Sequence, residues 1–304
     1  VFWNRARVFF LFPISFCPHL VWVKLAIAEI RHAVHAALAE DLGSGDVTTL
    51  ATVPVGAKSV ALMNAREPLV VAGIQFAEIV FRELSQKIKI KNFVRDGQKV
   101  AAGKTLLKIS GSSRAILSAE RVALNFVQRF SGVATATAEF VDLVSDTKAK
   151  ILDTRKTTPG WRRFEKYAVK CGGGKNHRLG LFDMVLIKDN HLAALQNEKP
   201  NAIAAAVFRA RKKFPKLKVE VEADTLEQVA QAADAGADII LLDNMTPTQL
   251  RQAVKIVQGR SHTEASGGVN LKTVRAIAGS GVDYISVGAI THSARAVDIG
   301  LDFA

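Results

Sequence analysis

The chain has 304 residues, 49% of them hydrophobic and 23% charged, enough to bury one large or two modest cores and too apolar for a disordered polymer. Its 41 Lys and Arg against 28 Asp and Glu leave a formal charge of +13, which points to nucleic acid, an anionic membrane or anionic small molecules as partners. No block of five cations, RNP-type motif or Cys/His finger spacing occurs, which argues against nucleic acid, and Cys17 and Cys171 form neither a C-x-x-C nor a zinc spacing and read as reduced thiols of a cytosolic protein.

In chain order, the first 24 residues differ from the rest. Arg5 and Arg7 precede an apolar run, Val8 to Phe16, that Pro13 interrupts; it is too short to span a bilayer, and no A-x-A cleavage site follows it. The chain opens on Val1 and its first methionine is Met63, so residues 1–24 are expected to be an extension outside the fold, with an upstream or unusual start codon. From Lys24 on, Ile27, Ile30, Val34 and Leu38 recur at helical spacing, and DLGSGDVTT (Asp41 to Thr49) reads as a turn. Strand signals follow: alternation over Ser59 to Met63, the Asp96-Gly97 turn, and Thr105 to Ile109. The segment VRDGQKVAAGKTLLKIS resembles one hammerhead hairpin of a lipoyl- or biotinyl-type domain, but no carrier lysine stands at its tip, so the likeness is one of local shape. Together these segments imply an α/β N-terminal domain over residues 25–125.

A long helix over Ala119 to Ala138 leads into a regular alternation. Ile151-Leu152-Asp153, Met184 to Lys188, Val219 to Glu222, Ile239 to Asp243 and Tyr284 to Gly288 read as strands. Between them, Leu226/Val229/Ala230/Ala233, Leu250/Ala253/Val254/Val257 and Val274/Ile277/Ala278 each form one apolar helical stripe. Asp224 with Glu227, and Thr246-Pro247 with Gln249, read as helix starts, while Gly236 and Gly281 stand where helices should stop. Repeated strand-helix units with such apolar strands imply a parallel sheet covered by helices, and their number favours a barrel with its site at the strand C-termini.

The predicted strands end on Asp153 with Arg155-Lys156, on Lys188-Asp189-Asn190, Glu222, Asp243, Ser266-Gly267-Gly268 and Gly288. Three chemistries emerge. Ser266-Gly267-Gly268, expected to open a helix, and Gly288 let backbone N–H groups approach a phosphate. Glu222 and Asp243 suit sugar hydroxyls, a developing cation, or Mg²⁺ beside a polyphosphate; no His or Cys accompanies them, which argues against zinc. Arg121, Arg155, Lys156, His177, Arg178 and Lys188 form a cationic group, and several Arg forks imply a ligand with more than one negative group. Gly172-Gly173-Gly174 before Lys175 lacks Walker spacing and is expected to be a flexible loop that closes over the substrate.

A monophosphate cradle, carboxylates for ribose or metal, and a cationic pocket describe phosphoribosyl pyrophosphate meeting an acidic acceptor. The run ILDTRKTTPGWRRFEKYAVKCGGGKNHRLGLFDMVLIKDNH (Ile151 to His191), with EDLGSGDVTT, AERVALNFVQRFSGVATAT, VEVEAD, IILLDN, EASGGV and VDYISVGAITHS, resembles the quinolinate phosphoribosyltransferase family over nearly all of Leu25 to Ala304. That family converts quinolinate and phosphoribosyl pyrophosphate, with Mg²⁺, to nicotinate mononucleotide, pyrophosphate and carbon dioxide in NAD biosynthesis.

The resemblance implies an open-faced α/β sandwich domain beside an incomplete seven-stranded α/β barrel of TIM type over 126–291. The last helix, within 292–304, would pack back on the N-terminal domain. It implies that Arg121, Arg155, His177 and Arg178 hold the quinolinate carboxylates, Arg121 being donated across the interface of a homodimer or larger assembly. Lys156 and Lys188 would face the pyrophosphate and ring. Glu222 and Asp243 would face the ribose and, directly or through water, Mg²⁺; with the two lysines they form the expected catalytic set. Ser266, Gly267, Gly268 and Gly288 would bind the 5′-phosphate, with His292 a further candidate. The enzyme is expected to be cytoplasmic, with no nucleic-acid or membrane partner. A barrel relative using another acceptor, such as nicotinate or that of the molybdate-transport-associated protein, would leave unpaired buried cations, which are costly. A non-catalytic anion- or nucleic-acid-binding protein would explain the charge but not the carboxylates among the cations.

Overall fold

A computed structural model describes residues 23–304. The expected extension, residues 1–24, and Cys17 with it, thus lie almost wholly outside the described residues; Val23 is already buried.

The first elements are α1 (Ile27–Leu42), α2 (Val47–Thr52), β1 (Lys58–Ala65), β2 (Leu69–Val70), α3 (Ile74–Leu84), β3 (Lys89–Asn92), β4 (Lys99–Val100) and β5 (Thr105–Ser112). Helix α1 buries the anticipated stripe of Ile30, Val34 and Leu38, and α2 starts on Asp46, whose carboxylate accepts from Thr49 N at 2.9 Å. The long α4 (Ser113–Leu143) lies under this layer and continues into the next. Phe76 of α3 meets Phe126 and Phe130 of α4 with ring centroids 5.0 and 4.9 Å apart. Each such buried ring contributes about 1.5–3 kcal/mol.

The second layer alternates β6 (Lys150–Leu152), α5 (Arg162–Cys171), β7 (Val185–Ile187), α6 (Asp189–Ala193), α7 (Ala202–Lys213), β8 (Val219–Ala223), α8 (Leu226–Asp234), β9 (Ile239–Asp243), α9 (Pro247–Val257), β10 (His262–Ser266), α10 (Val274–Ala278), β11 (Tyr284–Ser286) and α11 (Ala289–His292). Its sheet is parallel, in the order β6-β11-β10-β9-β8-β7, with Lys175 bridged in parallel to Leu152 beyond β6. The fold is therefore mixed α/β, with a parallel sheet and a separate N-terminal sheet. Among the described residues no helix is long and apolar enough to cross a membrane.

Four expectations are corrected. The chain ends not in a helix but in a strand, β12 (Ile299–Phe303), antiparallel to β1 in the four-stranded sheet β12-β1-β5-β3; alternate Ile299, Leu301 and Phe303 suit a pleated edge better than a helix. The cap of α8 lies one residue later than Asp224 with Glu227: Thr225 accepts from Gln228 N at 3.2 Å while Gln228 Oε1 accepts from Thr225 N at 3.2 Å, as in Thr246 with Gln249. Ser266-Gly267-Gly268 does not open a helix, because Gly267 and Gly268 have φ of +91° and +61°; α10 begins only at Val274. In the turn after α5, Gly172 and Gly174 are buried against α4 rather than part of a free flap, and only Gly173 is exposed. A Cβ on Gly172 would sit 2.3 Å from the Ala134 carbonyl oxygen of α4, and one on Gly174 2.7 Å from Thr137 Cγ2.

Candidate active site

Side chains two apart in a strand share a face. Val219, Val221 and Ala223 of β8 and Ile240 and Leu242 of β9 are wholly buried, and the polar partners Glu220, Glu222 and Asp243 alternate with them. Across the sheet this produces two rows on the opposite face. The upper row, at or just beyond the strand C-termini, holds Lys188, Glu222, Asp243, Ser266 and Gly288, and the lower row, two residues earlier in each strand, holds Leu186, Glu220, Leu241, Glu264 and Ser286; the strands are staggered, so that Glu222 lies level with Leu241 and Asp243 with Ser266. The upper row is the set that the strand ends picked out.

Within it, Lys188 Nζ donates to Glu222 Oε2, and Asn244, in the left-handed region at φ +54°, donates to Asp243 Oδ2 at 2.6 Å. Each carboxylate thus keeps its second oxygen clear of these partners, Oε1 on Glu222 and Oδ1 on Asp243. Asn244 N also donates to Ser266 O at 2.9 Å, so the acidic turn after β9 and the glycine turn after β10 form one unit. A Cβ on Gly267 would lie 2.1 Å from Asn244 Oδ1; only glycine permits that approach together with its positive φ.

Asp153 is wholly buried and structural. Lys166 of α5 donates to it inside the protein, Asn176 Nδ2 adds a bond at 2.7 Å and His177 N one at 2.8 Å. These contacts fasten the end of β6 to the segment after Lys175 and so fix where Arg155 and Arg178 stand. Arg178 is 8% exposed; burial and the neighbouring Arg155 guanidinium push its pKa down. Arg155 Nε is itself buried without a hydrogen-bond partner. Two guanidinium groups that repel one another, one with an unsatisfied donor, have the chemistry to accept an anion.

His177 sits differently from its expected place on a substrate carboxylate. Its Nε2 turns onto the lower row, 3.2 Å from Glu220 and 3.5 Å from Glu264, both wholly buried. Its Nδ1 accepts from Arg178 N at 2.7 Å. The ring therefore lies between the Arg178 backbone and two buried carboxylates, none of whose oxygens has a hydrogen-bond partner. Burial opposes charge on the ring, while Glu264 and Glu220 favour it. A proton on Nδ1 would face Arg178 N–H, so the hydrogen-bond geometry assigns the extra proton of the cluster to the carboxylates; burial and Glu220 raise Glu264 to about 7. The three residues offer metal-ligand atoms within 4.8 Å of one another. With Nδ1 claimed by an N–H, however, Nε2 carries the ring proton and is a poor metal ligand.

At the other end of the row, Lys156 is exposed and lies across Gly288: a Cβ there would meet Lys156 Cδ and His292 Nε2, each at 3.1 Å. Lys156, Gly288 and His292 are thus brought together; His292 Nδ1 lies 2.6 Å from Ser293 Oγ. Arg121 is exposed on α4, one turn past Ser118, which bonds Asp46 at 2.8 Å. It makes no hydrogen bond or ion pair with the strand-end group in this single chain. Glu220 and Glu264 were not anticipated, although each stands two residues before a predicted site residue, nor was the buried Lys166.

Two family models match the chain: the quinolinate phosphoribosyl transferase N-terminal domain over residues 46–131 and its C-terminal domain over 133–302. The chain is 45% identical over 278 residues to the nicotinate-nucleotide pyrophosphorylase (carboxylating) of Mycobacterium leprae, covering 90% of this chain and 96% of the relative. It is 43% identical over 289 residues to the mitochondrial quinolinate phosphoribosyltransferase (decarboxylating) 2b of Nicotiana tabacum, covering 90% and 82%. The solved nicotinate-nucleotide pyrophosphorylase from Francisella tularensis superposes with a TM-score of 0.87 at 41% identity, over 93% of this chain and 98% of that one.

Proposed function

The chain belongs to the quinolinate phosphoribosyltransferase family, and from that membership we propose that it transfers the phosphoribosyl group of phosphoribosyl pyrophosphate to quinolinate with loss of carbon dioxide, giving nicotinate mononucleotide and pyrophosphate for NAD synthesis. The observation that carries the acceptor is the Arg155–Arg178 pair, whose mutual repulsion and unsatisfied Nε are relieved by a dianion and only half relieved by a monoacid.

The upper row supplies the rest. Glu222 and Asp243 stabilise positive charge on the ribose anomeric carbon as pyrophosphate departs, and Lys156 and Lys188 balance the leaving group. Backbone N–H groups at Ser266, Gly267, Gly268 and Gly288 receive the 5′-phosphate, with His292 beside them. Attack by the pyridine nitrogen needs orientation by Arg155 and Arg178. The cationic ring nitrogen then stabilises the electron pair that the breaking C–C bond leaves on the adjacent ring carbon, and a proton added at that carbon replaces the carboxylate, so no side chain need act as a nucleophile. Glu222 and Asp243 fit Mg²⁺, directly or through water, since each keeps one oxygen clear of its Lys188 or Asn244 partner and this ion takes hard oxygen ligands; there it supplies counter-charge to pyrophosphate.

The same reading makes the Lys175 bridge the seventh strand of an incomplete barrel, gives residues 25–125 with 292–304 and residues 126–291 as domains, and has Arg121 enter the site of the partner subunit in a homodimer. A cytoplasmic setting agrees with the free, half-buried Cys171. The test is the purified protein with phosphoribosyl pyrophosphate and Mg²⁺, offered quinolinate or nicotinate. Mononucleotide forms from quinolinate alone; comparable product from nicotinate would overturn the acceptor assignment.

A further inference from the structure

Arg129 of α4 and Glu165 of α5 form an ion pair, Nη2 to Oε1 at 2.6 Å, whose carboxylate is wholly buried. That carboxylate also accepts from Thr158 N at 3.0 Å and from the Thr158 hydroxyl at 2.8 Å, closing the loop that carries Arg155 and Lys156. The guanidinium meanwhile donates to the carbonyls of Thr291 at 2.8 Å and Ala294 at 2.5 Å, holding the turn that follows Gly288. Between the two segments, the Thr291 hydroxyl has a single proton to give. It lies 2.7 Å from the Lys156 carbonyl and 3.0 Å from that of Gly288.

One ion pair and one hydroxyl therefore join the two loops on which Lys156 and Gly288 meet. We propose that Arg129, Glu165 and Thr291 are positioning residues for the donor: they set the Lys156 side chain over the Gly288 turn and thereby fix the affinity for the phosphate groups of phosphoribosyl pyrophosphate. Buried ion pairs contribute little net stability once desolvation is counted, so one whose buried carboxylate and guanidinium also bond to two functional loops is explained better by geometry than by stability. Lys156 is exposed, and a lysine on a free loop loses rotamer and backbone entropy on meeting an anion. Holding its backbone in place before binding removes part of that cost.

This inference rests on the donor assignment above, and two complementary changes at Thr291 test it in the full chain. Thr291→Val keeps the volume and loses the hydroxyl; Thr291→Ser keeps the hydroxyl and loses a methyl group. Calorimetric titration with phosphoribosyl pyrophosphate, without acceptor, is expected to show binding weakened about tenfold by the valine, as one lost hydrogen bond would cause, and near wild type in the serine variant. In turnover the valine raises KM for the donor while kcat and KM for quinolinate hold. A merely packing role would reverse the order, since serine leaves the larger void.

Unchanged donor affinity in Thr291→Val, or a greater loss in Thr291→Ser, overturns the inference. If Thr291→Val melts early, Thr158→Ala, at an exposed position that also anchors Glu165, decides in its place, and wild-type affinity there overturns it equally. A wild-type protein that binds the donor but forms no mononucleotide contradicts the acceptor assignment alone, and the titrations still decide the positioning. One that does not bind the donor contradicts both.

Discussion

The Lys166 ammonium reaches the Asp153 carboxylate where neither side chain touches solvent, and it also donates to the His177 carbonyl at 3.0 Å. Burial pushes the carboxyl pKa up and the ammonium pKa down, so each charge depends on the other and on the bonds from Asn176 and His177 N. Lys166→Met leaves Asp153 buried and uncompensated, and is expected to cost about 3–5 kcal/mol of stability. Urea unfolding of the purified variant checks this, and a loss of under about 1 kcal/mol would mean the pair is incidental.

The glycine turn separates packing from backbone strain. At Gly267 an added Cβ meets Asn244 Oδ1 at 2.1 Å in a left-handed backbone; at Gly268 it meets nothing within 4 Å. Gly268→Ala is expected to cost about 1–2 kcal/mol, the left-handed penalty alone. Gly267→Ala should cost more and also displace the turn bearing Asp243, lowering donor affinity. Equal losses in the two variants, by unfolding and by donor titration, would refute a coupled turn.

Arg178→Lys keeps a positive charge but loses the planar fork. Losing such charge-assisted bonds removes about 1.5–3 kcal/mol, so KM for quinolinate is expected to rise by about tenfold to a hundredfold with KM for the donor little changed. Steady-state kinetics with each substrate varied distinguishes this from a general loss of structure, in which both constants move.

The buried acids predict a pH dependence of stability. Burial and Glu220 lift Glu264 from 4.5 to about 7. A folded pKa above the unfolded one means that the native state holds this proton more tightly, so the stability tied to it is complete below pH 4.5 and is lost as the pH rises to about 7. Glu264→Gln is neutral throughout. Thermal unfolding at pH 5 and pH 8 should show the wild type losing ground to the variant between the two; a constant difference would remove the raised carboxyl from the account.

Lys188, Glu222 and Asp243 are legible at strand ends because each is a polar residue closing a strand-like run, a pattern that period-two geometry reads directly, whereas Ser266 follows the polar HTEA of β10 and is marked only by the glycines after it. Glu220 and Glu264 follow the same period, but a charge in mid-strand resembles an ordinary solvated position until the opposing strands and His177 enclose it. Lys166 and Glu165 are likewise hidden in RRFEKYAVKC, where alternating charges suggest a surface helix; their burial depends on β6 and α4, far away in sequence. The neighbours of His177, the local Arg178 N–H and the distant Glu220 and Glu264, are equally invisible in the sequence. The three glycines looked like a loop because their role, close contact with α4, is set by Ala134 and Thr137, about 35–40 residues earlier. The final strand was obscured for a similar reason, since its partner is β1 at the opposite end of the chain.

Transfer to quinolinate is coupled to decarboxylation in the reaction proposed above. Its most direct test is quinolinate labelled in the 2-carboxyl group, incubated with the protein, phosphoribosyl pyrophosphate and Mg²⁺, with released carbon dioxide and pyrophosphate counted together. One carbon dioxide is expected for each pyrophosphate, and none without the donor. Pyrophosphate without carbon dioxide, or no release of either by a folded protein, would contradict it.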